Sequence, residues 1–317
     1  MMLFKLLRSL IDGSRKTAPA PMPVSPVPSH DAVVAGQLDA IRQRIEQIWA
    51  AHSGLSLVHY QVEAAQLMRH ILAEPPCDNP LRLERYGYKV YSQNDEDGIL
   101  AEIFRRIDVT NRQFLEFGVE NGLENNTLNL LEQGWSGAWL EGDPRHVAAI
   151  EHGFKRKIDA GNLRVRNAMI DRDNINSLIQ SLALPRDLDL LSIDIDGNDY
   201  HVWEAIAAIE PRVVVIEYNA KFRPPTQWVM RYDAAHRWDG TDQFGASLES
   251  MTELGRRKGY QLVGCNITGA NAFFVKTALA GDRLATPADT ATLYLPARYF
   301  LTASFISGHR AGYSRKR

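Results

Sequence analysis

DLDLLSIDIDGNDYHVWEAIAAIEPRVVVIEYN, residues 187–219, decides the fold. It opens on a short apolar run that reads as a strand over 187–196, turns at Gly197, takes helical spacing over 199–208, and ends in a second apolar run at 212–219. Strand, helix, strand over this length makes a right-handed crossover between parallel strands. The same alternation extends upstream. QFLEFG (113–118), GAWLEG (137–142) and LRVRNAMI (163–170) read as strands, with helical segments near 124–133, 144–157 and 173–182. Ahead of them, Ile99, Leu100, Ile103, Phe104 and Ile107 mark one helix face, with Ser92 or Asn94 as its cap. Downstream, a helix over 246–258 precedes YQLVGCN and NAFFVK, two strands joined by the turn ITGA. The expectation is a parallel sheet covered by helices on both faces, with a hairpin that places an antiparallel strand at its edge.

Further out the pattern changes. TAPAPMPVSPVPS (17–29) is an extended, Pro-rich linker. Before it, Met2, Leu3, Phe4, Leu6, Leu7 and Leu10 alternate with Lys5 and Arg8. That pattern suits weak attachment of residues 1–12 to an anionic membrane surface, a partner-docking helix or a frayed end. After the linker, Val34, Leu38, Ile41, Ile45, Ile48 and Trp49 recur at helical spacing, and a second helix is expected over Val62–Leu72. The expected organisation is a short amphipathic segment (1–16), a Pro-rich linker (17–30), a helical appendage (31–88), a main α/β domain (89–280) with a lid at 219–245, and a C-terminal extension (281–317). The appendage is a place where copies of the chain would associate as a homo-oligomer.

Composition narrows the function. The 317 residues carry 36 basic and 38 acidic side chains, a balance without the basic excess of a nucleic-acid binder. The basic tail YSRKR reads as a solvated end. The two cysteines, Cys77 and Cys265, are too few for a disulfide scaffold and read as reduced, buried thiols of a cytoplasmic protein. No apolar run reaches the roughly 18 residues of a membrane span.

In an open parallel sheet, ligands sit at the carboxyl ends of the strands. Here those ends are acidic. In EFGVENG (116–122), Gly118 and Gly122 permit close backbone approach, but Glu116, Glu120 and Glu124 crowd the place a pyrophosphate would take. Neither the dinucleotide fingerprint nor a phosphate loop is matched. A cationic ligand without phosphate, such as S-adenosylmethionine, suits the place; a plain turn with solvated acids is the alternative. Glu141, at the second strand's end, is placed to accept hydrogen bonds from two ribose hydroxyls, and Asp143 to cap the helix that starts at Pro144. Asn167 and Ala168 fall where an adenine would sit. Asp194 and Asp196 alternate along one strand and so face the same way, with Glu217 and Asn219 from the next. Such carboxylates hold a divalent cation (Mg or Mn), perturb one another's protonation, or act as a base. The 219–245 segment interleaves aromatic and polar residues. It reads as a sugar-recognition lid, with Tyr218, Asn219, Trp228, Trp238 and Asp239 against the acceptor and His236 as a second base, or else as a packing flap.

Taken together, YSQNDEDGIL, FLEFGVENGLENNT, WLEGDP, DLLSIDIDGNDYHVW, VVVIEYN and GYQLVGCN–GANAFFV resemble FkbM-type methyltransferases over roughly residues 90–276. The resemblance implies a class I methyltransferase-like doubly wound sheet of seven strands, mostly parallel, whose terminal pair is the antiparallel hairpin, here preceded by a helical N-terminal region. It also implies S-adenosylmethionine-dependent O-methylation of a sugar, glycan or related metabolite. By motif, Glu116, Gly118 and Gly122 fall in the cofactor loop, Glu141 on the ribose acid and Asp194 on the acid after the fourth strand. This sequence departs from the commoner pattern at Glu120 and Asn121, where many relatives have small residues, and at IDIDGND, where many read closer to IDVEG. A non-catalytic protein that keeps the fold as a binding or scaffold module is the competing expectation.

Overall fold

The computed structural model describes residues 30–285 and 289–305. The segment 1–12, the Pro-rich stretch 17–29 and the YSRKR tail lie outside the described residues. The chain divides into two compact units, Met1–Leu57 and Val58–Arg317. The described part of the first is the leading portion of one helix, α1 (His30–Ala73). The spacing predicts two helices here. Ser53 and Gly54 occupy the expected break, but a glycine inside a helix costs only about 1 kcal/mol and no proline follows until Pro75.

The second unit carries a seven-stranded sheet: β1 (Gln113–Phe117), β2 (Ser136–Glu141), β3 (Leu163–Asn167), β4 (Leu190–Ile193), β5 (Val213–Glu217), β6 (Tyr260–Cys265) and β7 (Asn271–Lys276). Their order is β3-β2-β1-β4-β5-β7-β6. The first five strands pair in parallel, and β7 runs antiparallel to both β5 and β6. This is the class I methyltransferase-like sheet that the resemblance implies. Contrary to the expectation from the hairpin, the antiparallel strand is not at the edge. β7, buried except at its last residue Lys276, inserts beside β5, and β6, with its bulge at Leu262/Gly264, forms the rim.

Helices α2 (Glu96–Ile107), α3 (Leu128–Glu132), α4 (Pro144–Gly153), α5 (Lys155–Asp159), α6 (Ile175–Ser181), α7 (Asp199–Ala205) and α8 (Leu248–Arg257) connect or flank the strands. Strand alternation divides the core into two layers. Leu115, Phe117, Leu191, Ile193, Val214 and Ile216 pack with Ile179, Trp203 and Leu254. On the other face Phe114, Leu190, Val213 and Val215 pack with Ile99, Ile103 and Phe104 of α2. Each such side chain contributes roughly 1.5–3 kcal/mol on full burial, so these layers set the positions of the strand ends.

Local capping is partly as read. Asp143 accepts from the Arg145 amide with Pro144 opening α4. Neither Ser92 nor Asn94 caps α2. Its cap position is Asp95, without a side-chain hydrogen bond, and Asp97 inside the helix instead accepts from the amides of Val90, Tyr91 and Ser92. All three amides converge on the single oxygen Oδ2 of Asp97, which so gathers the incoming turn.

Candidate active site

Side-chain alternation puts the acids of the strand ends on one face. Glu116 follows Phe114, Glu141 follows Trp139, and Glu217 follows Val213 and Val215, all on the α2 side. Across the β5–β7 ladder Glu217 is paired with Asn271. Strand order reverses between β1 and β4, and there a cavity of about 830 Å³ opens at the carboxyl ends, bordered by Glu116, Gly118, Glu141, Asp194, Asp196 and His236.

The loop after β1 is pinned from below. Glu116, 3% exposed, accepts from the Asn126 amide and Ser192 Oγ on one oxygen and from the Thr127 amide and Oγ1 on the other. Burial pushes its carboxyl up to about 7 despite these hydrogen bonds. Glu116 therefore anchors the loop as well as bordering the cavity. Its folded state holds a proton more tightly than the unfolded chain. The resulting contribution to stability is fully present below the ordinary carboxylate range and is lost as pH rises through about 7. Glu116→Gln is expected to melt lower at every pH, because its amide nitrogen faces donors, yet with a flatter dependence between pH 5 and 8. Thermal melts of both proteins at the two pH values check this; parallel curves would remove the assignment.

Gly118, at φ 72°, lies so close to the chain after β4 that a Cβ would stand 1.6 Å from the Asp194 carbonyl oxygen. Only glycine permits this crossing of the two strand ends. Gly122 also has positive φ, 77°, but it does not border the cavity. A Cβ there would strike Trp139, Phe154 and Ile150, so this glycine serves close packing against the core.

Glu141 is 8% exposed and oriented by two backbone donors, the Glu120 amide on one oxygen at 2.8 Å and the Asp143 amide on the other at 2.8 Å. A carboxylate oxygen has two acceptor positions, so each keeps one for a ligand hydroxyl. The side chain of Glu120 is exposed and its backbone does the holding. Ala168 borders the cavity beside Met169 and Ile170. Asn167 does not; its amide donates to the carbonyls of Glu141 and Gly142 and ties β3 to the turn after β2.

β4 ends at Ile193, one residue short of Asp194, so Asp194 and Asp196 do not alternate along a strand as expected. The reason is a turn held by Asp199, whose two oxygens accept from the Ile195 and Gly197 amides and leave Asp196 at φ 54°. The turn still converges: one carboxylate oxygen each from Asp194, Asp196 and Glu217 lie within 4.8 Å of one another. Burial, then the charges of Asp199, Asp196 and Glu116, push Asp194 well up; burial, then Asp194, Asp199 and Asp196, do the same to Glu217. Burial raises Asp196 and the neighbouring His236 opposes the rise. Glu217 Oε2 is buried with no partner among the described residues.

His236 arrives from the 219–245 segment. Its ring covers Gly197 so closely that a Cβ there would lie 2.3 Å from Cδ2. The segment is tied to the turn by Asn198 Nδ2 on the Asp233 carbonyl and by the Gly245 amide on the Gly197 carbonyl. Of the residues expected to face an acceptor, only Trp238 borders the cavity, and it is half-exposed. Tyr218 is fully buried with its hydroxyl on the Leu295 carbonyl. Asn219 is buried and its amide holds the carbonyls of Asp242 and Phe244. Trp228 stacks on Phe222 at 4.3 Å, and Asp239 accepts from Thr241. These four build the segment rather than face a ligand: β5 alternation turns Tyr218 into the core, and the turns use the short polar side chains for themselves.

Sequence reasoning missed Asn125 and Asn271. Both border the cavity and are at most 6% exposed, and Asn125 Nδ2 and Asn271 Oδ1 have no partner among the described residues. The Asn271 amide is oriented by its Nδ2 donating to Glu96. Register with Glu217 was the signal for Asn271, and it exists only once β7 is seated beside β5.

No protein-family model matches this chain, and a search of curated proteins finds no match. Among solved structures, the chain is similar to magnesium protoporphyrin IX methyltransferase from Synechocystis PCC 6803 with bound SAM, at 11% identity over 58% of this chain and 79% of that one, with a TM-score of 0.37. A S-adenosylmethionine-dependent methyltransferase from Clostridium acetobutylicum ATCC 824 matches at 11% identity over 67% and 98%, with a TM-score of 0.38. The mitomycin 7-O-methyltransferase MmcR matches at 14% over 57% and 55%, with a TM-score of 0.33. Identities and scores this low leave the chemistry of this chain to its own residues.

Proposed function

We propose that this chain is a S-adenosylmethionine-dependent O-methyltransferase acting on a hydroxyl of a sugar, glycan or related metabolite. The observation that carries the reading is Glu141: a carboxylate at the end of β2, oriented by two amides, on the rim of a cavity that Glu120, Glu124, Asp196, Asn125 and Asn271 also border, beside Arg145, His146 and Arg237. A diphosphate would meet the carboxylates of Glu120 and Glu141 there, and like charges repel. A phosphate-free cation fits.

When bound, S-adenosylmethionine supplies a methyl group on a sulfonium, displaced in line by the acceptor oxygen. The chain's residues do the rest. Glu141 takes the ribose hydroxyls, and Ala168, Met169 and Ile170 offer an apolar flank to the adenine. Asp196 accepts the proton of the acceptor hydroxyl, and the His236 ring beside it favours the ionised carboxylate that can do so. Asn125 Nδ2 and Asn271 Oδ1 offer one free donor and one free acceptor, a pairing that suits a hydroxyl-rich acceptor, and Trp238 offers a face at the mouth.

The donor set also fits a divalent cation. Asp194, Asp196 and Glu217 present only oxygens, and the orphaned Glu217 Oε2 is the kind of buried group a cation would satisfy. Mg or Mn held there would lower the pKa of the acceptor hydroxyl.

Calorimetry with S-adenosylhomocysteine and with NAD tests the reading. Binding of S-adenosylhomocysteine alone is expected. Binding of NAD alone overturns it, and binding of neither favours a scaffold module without transfer.

A further inference from the structure

Helix α1 has two characters. From Ala64 onward, apart from the exposed Leu67, its apolar side chains pack inward: Ala64 packs with Ile267 and Leu301, joined by the partly buried Met68, Ile71 and Leu72. Ahead of that, Ile41, Ile45 and Ile48 are 55%, 49% and 61% exposed, and Val62 is 49% exposed. In the sequence Val34, Ile41, Ile48, Leu55 and Val62 recur every seven residues, and Leu38 and Ile45 follow the first two of them by four. A strict seven-residue repeat is the signature of a helix wound against another helix, not of one lying on a sheet.

We propose that this face is the seam of a parallel, in-register coiled coil with a second copy of this chain. Three observations choose that occupant. The repeat is self-complementary. In register, each apolar layer meets its own kind, and His52, His59 and Gln66, which continue the Leu38 and Ile45 positions, meet only themselves. Polar layers of this sort set register in coiled coils. The flanks carry no excess charge to attract a polyanion or an acidic membrane: Arg42 lies 3.7 Å from Asp39 and 3.9 Å from Glu46 on the same helix. The length also suffices. From Val34 to Val62 the seam runs about 42 Å, and at about 10 Å width two such faces cover on the order of 850 Å² in flat projection. Interdigitating side chains raise the accessible area toward that of a specific interface.

Sedimentation velocity of the full chain across the micromolar range tests this. The expected mass is at least twice 35.7 kDa. The variant Ile41→Glu, Ile45→Glu, Ile48→Glu changes only exposed side chains, so its circular dichroism and domain melting should match the parent while its mass falls to a single chain. A parent that stays at one chain's mass overturns the proposal, as does a variant that keeps the parent's mass. Leu38→Cys reads the orientation. Equivalent positions meet only in the parallel, in-register seam, so mild oxidation should cross-link it, while Cys77 and Cys265 are buried and do not compete. An oligomer that fails to cross-link overturns that arrangement.

Discussion

Replacing Glu141 by alanine is expected to weaken S-adenosylhomocysteine binding about 100-fold or more. The carboxylate would lose two charge-assisted hydrogen bonds to ligand hydroxyls, each worth roughly 1.5–3 kcal/mol. It would also release the Glu120 and Asp143 amides that now shape the rim. Those amides border the cavity, where solvent can satisfy them, so the melting temperature should fall only slightly. Glu141→Gln keeps one acceptor oxygen and should fall between the two. The measurement is calorimetric affinity beside thermal melting. Undiminished affinity in a folded Glu141→Ala protein would remove this residue from the cofactor site and, with it, the observation on which the proposed function stands.

The second large effect is expected at Asp196. Asp196→Asn should lower turnover by about 10²–10⁴-fold, the usual worth of a positioned proton acceptor, while S-adenosylhomocysteine affinity stays close to the parent's. The asymmetry follows from position. Asp196 lies in the turn after β4 beside His236, whereas Glu141 ends β2, two strands away in the sheet. Burial raises its carboxyl above the ordinary range, so only the ionised fraction above that raised value can take a proton. Parent activity should therefore climb as pH rises through the acid limb, and the variant should lose that limb. Rates measured on the acceptor that the parent methylates would show it. Equal activity in the variant would take Asp196 out of the reaction.

Much of the site could be read along the chain because strand periodicity carries it. Glu116, Glu141 and Glu217 each end an apolar run, so their placement at one end of the sheet needs only the parallel topology. The lid was harder. Tyr218, Asn219, Trp228 and Asp239 are of residue types that often meet ligands, yet each is spent on the segment's own turns and packing. No local pattern separates an aromatic that stacks on a sugar from one that stacks on Phe222. His236 sits among the same residues and does reach the site, through ties to Asn198 and Gly197 that are about 40 positions away in the chain.

By itself the sequence determined the order of strands and helices, the acidic character of the strand ends and the glycine required at position 118. These follow from periodicity, charge and backbone sterics, which are local properties. Only the tertiary structure decided that β7 inserts beside β5 and brings Asn271 against Glu217, and that Asp199 bends the chain so that Asp194, Asp196 and Glu217 converge. It alone also turned Gly122 inward against Trp139. Convergence of groups remote in sequence depends on which faces pack together, and packing is settled by the whole set of apolar contacts at once.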